Sequence, residues 1–472
     1  MTAGGRDPRA VPGGRDPRAV PGAGTEGTTR RALLAGGAGL GLAAAGRVLP
    51  ARAGRGSSSS LPREAACTVA PGELAVPRVI LTQFQPGHEF VLTDAARASS
   101  TDDQTPGNYI CGTQAVTVVT RGGGYADLTG RGLSFDAAGR YLAVRYRVSA
   151  ALGVRELMLD VSSDAAFAAR YSWQFADNVR TLGAGFSYDG AWAQVFLSFA
   201  DAAVTGAPDR SRLTAARLRV KDGGTPVTVQ WQEISLVSEP VAEFPAGVAT
   251  ICFDDLYASQ YARARPVLEA RGYPATLAVI AQLVGTPHGM SLAQLRSLQD
   301  DQGWEIGCHA DSLAVHRATD VACPASVVGA DLDREQRYLR GNGLTGYQTF
   351  AYPSGLWDPD VLGLVSGTCR SARLDFFGTQ ETFPPANACK LRACGSISSM
   401  PGAHSPADVM GYIDAAAANR SWLILIFHKF VTGTPRLMTE CSVTDFAAII
   451  AHLAASGMAV ATTGDVLRRW RR

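Results

Sequence analysis

The sequence predicts an α/β fold: a (β/α)7-type distorted barrel over residues 243–472, preceded by an all-β, jelly-roll-like sandwich over residues 77–239. Three observations lead there. Beyond Pro245, short apolar runs alternate with helix-length stretches, the pattern of a parallel sheet with crossover helices. Between 77 and 239, apolar and polar residues alternate with period two, breaks fall at Gly, Asp and Pro, and convincing helices are scarce. The two regimes meet at Glu239-Pro240 and Pro245, which mark the boundary.

The first 53 residues are expected to be leader rather than fold. GGRDPRAVP at 4–12 repeats unchanged at 13–21, and such a Gly/Pro/Arg/Asp segment cannot bury enough apolar surface to order itself. Thr29-Arg30-Arg31-Ala32-Leu33-Leu34 follows, then the weakly apolar stretch from Ala35 to Ala45 and the small-x-small site Ala51-Arg52-Ala53. That order resembles a twin-arginine export signal, so the protein is expected to be secreted, extracellular or cell-wall associated. Residues 54–76 read as a Gly/Ser/Pro linker.

The 472 residues carry 44 basic and 42 acidic side chains, a formal net charge of +2, which gives no electrostatic case for a nucleic-acid partner. No apolar run reaches the roughly 18 residues that a spanning helix needs, so no transmembrane segment is expected in the mature chain. Nine cysteines leave at least one thiol unpaired within the chain. Cys252 and Cys308 fall within predicted strands and read as packing residues, while Cys389 and Cys394 could pair within a loop.

In the sandwich, strands are expected at Tyr141 to Val148, Leu157 to Val161, Trp192 to Phe199 and Val227 to Val237. In the last, apolar residues fall at 227, 229 and 231, then at 234 and 236, and that slip of one predicts a β-bulge. Its aromatic residues (Tyr141, Tyr146, Tyr171, Trp173, Phe175, Trp192, Trp231) suit either sugar stacking or a core, so the segment is a candidate carbohydrate-binding domain. In the barrel, strands are expected near 248–253, 275–280, 304–307, 347–351, 369–374, 422–427 and 458–461. Helices are expected at 258–271, 291–302, 324–341, 358–366, 405–419, 443–456 and 464–470. An active site in such a fold lies at the C-terminal strand ends.

Residues with chemistry gather at those ends. Asp254 and Asp255 close the apolar run Val248 to Phe253, and two adjacent carboxylates there are costly unless something needs negative charge. Of seven histidines, His309 and His316 follow the strand near 304–307, and His428 closes Trp422 to Phe427. Two imidazoles and one carboxylate leave open positions on a divalent ion such as Zn²⁺. Such an ion lowers the pKa of its water to about 7 and polarises an acyl oxygen. A second carboxylate can take a proton from that water, and a histidine opposite can protonate a leaving amine.

The order Asp-Asp, His…His, Tyr-Pro and Leu-x-x-His resembles the polysaccharide deacetylase family, also called NodB-homology or carbohydrate esterase family 4, over residues 245–472. Thr250-Ile251-Cys252-Phe253-Asp254-Asp255 is similar to the first motif, Thr-Phe-Asp-Asp-Gly, with Leu256 in place of Gly. The resemblance makes Asp254 the general base and Asp255 a metal ligand. Trp304 to His309 resembles the approach to the second motif, which makes His309 and His316 the other ligands. Their spacing is seven positions where the family has four, and Asp311 is an alternative ligand. Phe350-Ala351-Tyr352-Pro353-Ser354-Gly355 resembles the third motif, Arg-x-x-Pro-Tyr-Gly, without its Arg and its Tyr. Tyr352, Pro353 and Ser354 would line the substrate, with the Ser354 N–H as oxyanion donor, and Arg373 and Arg392 are candidates to replace the missing Arg. Asp375 is a candidate for the fourth motif's carboxylate. Leu425-Ile426-Phe427-His428 resembles the fifth motif and makes His428 the general acid. The implied function is metal-dependent hydrolysis of N-acetyl groups on a GlcNAc-containing polymer such as peptidoglycan or chitin. O-deacetylation of a xylan-type polymer by the same site, and a catalytically weak secreted carbohydrate-binding protein, are the rival readings.

Overall fold

The computed structural model describes residues 67, 70–175, 186–238, 243–317, 323–375 and 380–470. The expected export signal over 1–53, and most of the expected linker, lie outside the described residues. Residues 63–472 form one compact unit.

Twelve strands come first: β1 (Arg78–Thr82), β2 (Phe90–Leu92), β3 (Ala98–Asp103), β4 (Ala115–Thr120), β5 (Tyr125–Phe135), β6 (Arg140–Val148), β7 (Val154–Ser162), β8 (Arg170–Gln174), β9 (Trp192–Leu197), β10 (Ala203–Thr205), β11 (Leu213–Asp222) and β12 (Thr228–Ser238). They make two six-stranded sheets, one ordered β3-β4-β12-β6-β9 with β1 also on β12, the other β10-β8-β7-β11-β5-β2. Alternate residues of both sheets, among them Leu128, Leu142, Val144, Leu159, Trp173 and Trp231, meet in one buried cluster. The register of β12 against β6 slips between Trp231 and Glu233, the bulge that the apolar pattern predicts. Tyr141, Tyr146, Trp173, Phe175 and Trp231 are all buried. Tyr171 packs edge-on against Phe199, so these aromatics are core.

The second half is a seven-stranded parallel sheet: β13 (Val248–Phe253), β14 (Thr276–Ile280), β15 (Glu305–Ala310), β16 (Thr349–Ala351), β17 (Ser371–Arg373), β18 (Trp422–Phe427) and β21 (Ala459–Val460). The order is β17-β16-β15-β14-β13-β18, with β21 on β13. Between β18 and β21, β19 (Lys429–Val431) and β20 (Glu440–Ser442) form a separate parallel pair. The helices are α1 (Arg265–Glu269), α2 (Leu292–Gln302), α3 (Leu313–His316), α4 (Ala325–Gly341), α5 (Pro359–Thr368), α6 (Pro406–Asn419), α7 (Val443–Ala455) and α8 (Thr463–Trp470). Their starts follow capping chemistry: Ser291 with Gln294, and Ser405 with Asp408, form capping boxes. The helix expected over 258–271 is instead a π-turn, Gln260–Ala264, running into the short α1.

The sheet's two outer strands are bridged by an irregular segment. The Ala372 N–H donates to Ala388 O and the Leu374 N–H to Leu391 O on one side; the Cys394 N–H donates to Ile424 O and the Ile426 N–H to Cys394 O on the other. The turn closed by the Lys390 N–H on Asn387 O holds Cys389 next to Ala388, which is bonded to β17, whereas Cys394 lies against Leu425 of β18; the Cys389–Cys394 disulfide is not formed, and both side chains are buried. The disulfide present joins Cys67 to Cys111.

The bridging segment also carries the contact with the two-sheet half. Lys390 Nζ donates to Phe186 O at 3.1 Å, Arg392 to Phe196 O at 2.9 Å, and the Tyr141 hydroxyl to Arg420 O at 3.3 Å. Val76, Ala143, Phe196, Val237 and Ala386 form a shared apolar cluster. Residues 70–76, which composition assigns to the linker, belong to this seam. The Leu74 N–H donates to Ala386 O, and Glu73 pairs with Arg145 at 3.1 Å with both side chains nearly inaccessible. Their Pro and Gly set a turn rather than freedom, as the left-handed Gly72 (φ 79°) beside Asn387 shows. Among the described residues no helix is long and apolar enough to cross a membrane.

Candidate active site

Five loops at the C-terminal ends of the parallel strands supply the site. β13 is buried along its whole length, and its chain continues into Asp254, whose N–H donates to Phe427 O. Asp255 and Leu256 then take left-handed backbone angles, φ 67° and 60°. Two consecutive non-glycine residues there are uncommon and strained. The turn separates the two carboxylates and sends them in different directions.

Asp255 points at the histidines. Its Oδ1 lies 2.9 Å from His316 Nε2 and 3.5 Å from His309 Nε2, and the two Nε2 atoms are 3.2 Å apart. His309 sits at the buried end of β15, and its Nδ1 lies 2.8 Å from Ala351 O. That carbonyl can only accept, so Nδ1 carries the proton and Nε2 keeps its lone pair. His316 closes the one-turn helix α3, whose first turn is capped by the Ser312 side chain. The turn of chain between them brings residues seven positions apart face to face, with ring centroids at 4.7 Å.

Asp255 Oδ1 is buried, yet neither imidazole gives it a hydrogen bond of good geometry. Two imidazole nitrogens and a carboxylate oxygen converging this closely suit a cation. The spacing agrees: tetrahedral ligands about 2.0–2.1 Å from a metal stand roughly 3.3 Å from one another, and these three separations average close to that. Burial acts against the Asp255 charge, but the imidazoles of His309 and His316 beside it, with His428 farther off, outweigh it and hold the carboxyl well below the usual range. Asp311 is not part of the group. Its carboxylate pairs with Arg334 at 2.8 Å, and its N–H donates to Asp331.

Asp254 faces another way. It is nearly inaccessible and ion-paired to Arg373 at the end of β17, and its Oδ2 lies 3.9 Å from His428 Nε2. Of the two candidate arginines, Arg373 is therefore the one that meets Asp254. Arg392 is engaged with Glu381 at 3.0 Å. Gln260 Nε2 donates to the carbonyls of both Asp254 (2.5 Å) and His428 (2.9 Å), tying the two loops together from within the π-turn. Asp375 Oδ1 is buried without a hydrogen bond. It fits there because Gly395 has no Cβ, which would stand 2.1 Å from that oxygen. Burial raises the Asp375 carboxyl above its ordinary range, against the charges of His428 and Arg373.

Tyr352 is buried, its hydroxyl donating to Cys389 O at 3.0 Å and its N–H to Arg373 O. Pro353 to Gly355 form a single turn in which Ser354 has φ 54°, an exposed residue on a left-handed kink. Glu335 on α4 escaped the sequence reading. It accepts the His309 N–H at 3.1 Å from a fully buried position. The signal was present in Asp331 and Glu335, four apart, on the same helix face as Leu332 and Leu339.

Residues 242–367 match the family model described as Polysaccharide deacetylase. This segment, about a quarter of the chain, is similar to that family. The match ends before β17, so Arg373, Asp375 and His428 stand on geometry. Poly-beta-1,6-N-acetyl-D-glucosamine N-deacetylases of Staphylococcus aureus are 26% identical over 132 residues, which make up 26% of this chain and 46% of theirs. The chain thus spans about half the length of the curated relatives it matches. The Xyl-CE4 domain of a multidomain xylanase from the hindgut metagenome of Trinervitermes trinervoides is similar at 16% identity and a TM-score of 0.32, over 47% of this chain and 90% of that one. A CE4 family pseudoenzyme from Bacillus anthracis gives 13% and 0.32, over 47% and 66%.

Proposed function

We propose that the protein is an exported, metal-dependent deacetylase that hydrolyses N-acetyl groups of a GlcNAc-containing polysaccharide. In this reading its parallel sheet is a distorted (β/α)7 barrel and its N-terminal half a jelly-roll-like sandwich. The observation that carries the reading is the convergence of Asp255, His309 and His316 within 4.8 Å of one another, with Asp254 and His428 facing each other beside them. A divalent ion, Zn²⁺ by ligand type, held by those three residues supplies a Lewis acid for the acyl oxygen and a water that ionises near neutral pH.

The chain's own groups supply the rest. Asp254 takes the proton of the attacking water, and its ion pair with Arg373 keeps the carboxylate aimed. His428, across from Asp254, donates a proton to the departing nitrogen, which leaves poorly without one. The Ser354 N–H, on its kinked turn, is the oxyanion donor. Asp375, close enough to feel the His428 charge, steadies that imidazole. An O-acetyl ester would meet the same groups and need less help from His428, so the amide is the harder substrate and the better match to a complete acid–base pair.

Asp254→Asn tests the reading. Acetate release from acetylated chitooligosaccharides and peptidoglycan should vanish, while zinc measured by elemental analysis stays at wild-type level. Loss of zinc in that variant would show that the two aspartates are assigned the wrong way round.

A further inference from the structure

The two-sheet half carries one aromatic side chain that packing does not explain. On β9, Ala193, Val195 and Leu197 enter the core between the sheets, so Trp192, Gln194 and Phe196 lie on the outer face. Phe196 is covered by the catalytic half; Trp192, at the other end of the strand, stays partly exposed. It is not left loose. The Arg147 guanidinium lies 5.1 Å from its ring centroid. Arg147 is itself anchored three ways, to Gln230 Oε1 (3.1 Å), Gly107 O (2.8 Å) and Asn108 Oδ1 (2.6 Å). Those bonds use three of five guanidinium N–H donors, which leaves two beside the indole.

An aromatic face held rigid next to fixed, unspent donors is what a pyranose ring needs: its C–H face stacks and its hydroxyls accept. Tyr125, partly exposed on β5, is already engaged: its hydroxyl is bonded to Glu156, and both Arg219 and Lys221 lie over its ring. The surface also leads toward the catalytic centre. The turn just before β9 is closed by the Ala191 N–H on Tyr188 O. The Tyr188 ring meets Trp357 at 5.7 Å, and Trp357 lines the same cavity as His309 and Tyr352.

We propose that Trp192 and Arg147 form a binding site for a neutral β-linked polysaccharide chain, which holds the polymer beyond the residue being deacetylated. The proposal rests on the deacetylase reading only for the identity of the polymer. Its test is co-sedimentation of the full chain, in the Asp254→Asn background to stop turnover, with insoluble chitin, peptidoglycan and cellulose. Trp192→Ala should raise the concentration for half-binding at least tenfold at an unchanged melting temperature. Trp192→Phe should retain most of the binding, and Arg147→Ala should fall between. In the active chain, Trp192→Ala should slow acetate release from insoluble polymer but not from chitotetraose. A folded Trp192→Ala variant that sediments like the parent overturns the site, as does a parent that sediments with none of the three polymers. Binding lost in Trp192→Ala while the active chain releases no acetate from any substrate would sustain the site and sink the deacetylase reading instead.

Discussion

Asp254 and Asp255 are adjacent, yet they hold different company, and that difference sets their roles. Asp255 meets only imidazoles, while Asp254 meets a guanidinium and a third imidazole. Because Arg373 orients the Asp254 carboxylate, Arg373→Met should cut kcat by about 10²–10³-fold with zinc content unchanged. Arg373→Lys should recover only part, because an ammonium cannot make the planar pairing. Equal activity in Arg373→Met would remove the arginine from the mechanism. The ligand set makes an equally sharp contrast. His316→Ala should weaken zinc binding at least tenfold, whereas Asp311→Ala should leave it unchanged, since Asp311 is spent on Arg334. Competition with a chelator of known affinity reads both.

At the scale of elements, β13 and β18 were legible because each is a continuous apolar run, and β15 through its short apolar stretch from Ile306 to Cys308; their ends carried Asp254, His309 and His428 into view. What the residues did not reveal is how loops close the gaps between them. The seven-position spacing of His309 and His316 depends on a one-turn helix. The role of Arg373 depends on β17 being three residues long, so that its last side chain meets Asp254. Leu256 is the instructive case, a departure from a motif glycine. It occupies the left-handed region at φ 60° and is fully buried. Glycine there would relieve about 1–2 kcal/mol of backbone strain, but losing a buried leucine costs about 2–5 kcal/mol. Leu256→Gly should therefore destabilise the protein by about 1–3 kcal/mol in urea unfolding. A stabilised variant would mean that the strain outweighs the packing.

The whole molecule is joined by charges that no sequence pattern exposes. Lys390 and Arg392 read as loop residues, but each is buried where the bridging segment between β17 and β18 meets the sheets of the N-terminal half. The carbonyls they reach across the seam, those of Phe186 and Phe196, are about 200 positions away, beyond the reach of any local rule. Such a seam makes the N-terminal half part of the wall that closes the catalytic sheet, not an appended module. Lys390 offers a way to measure it. Burial pulls its amine down from 10.5 to about 8, against the charge of Glu73. Between about pH 8 and 10.5 the folded chain therefore holds this amine neutral while the unfolded chain holds it protonated. The unfolded state binds more protons there, so this group's contribution makes stability rise with pH across that window. Lys390→Met removes the titration, so the unfolding free energy of the parent minus that of the variant should increase from pH 7.5 to pH 10. A difference that stays constant over that range would show the amine to be solvated and the seam open to water.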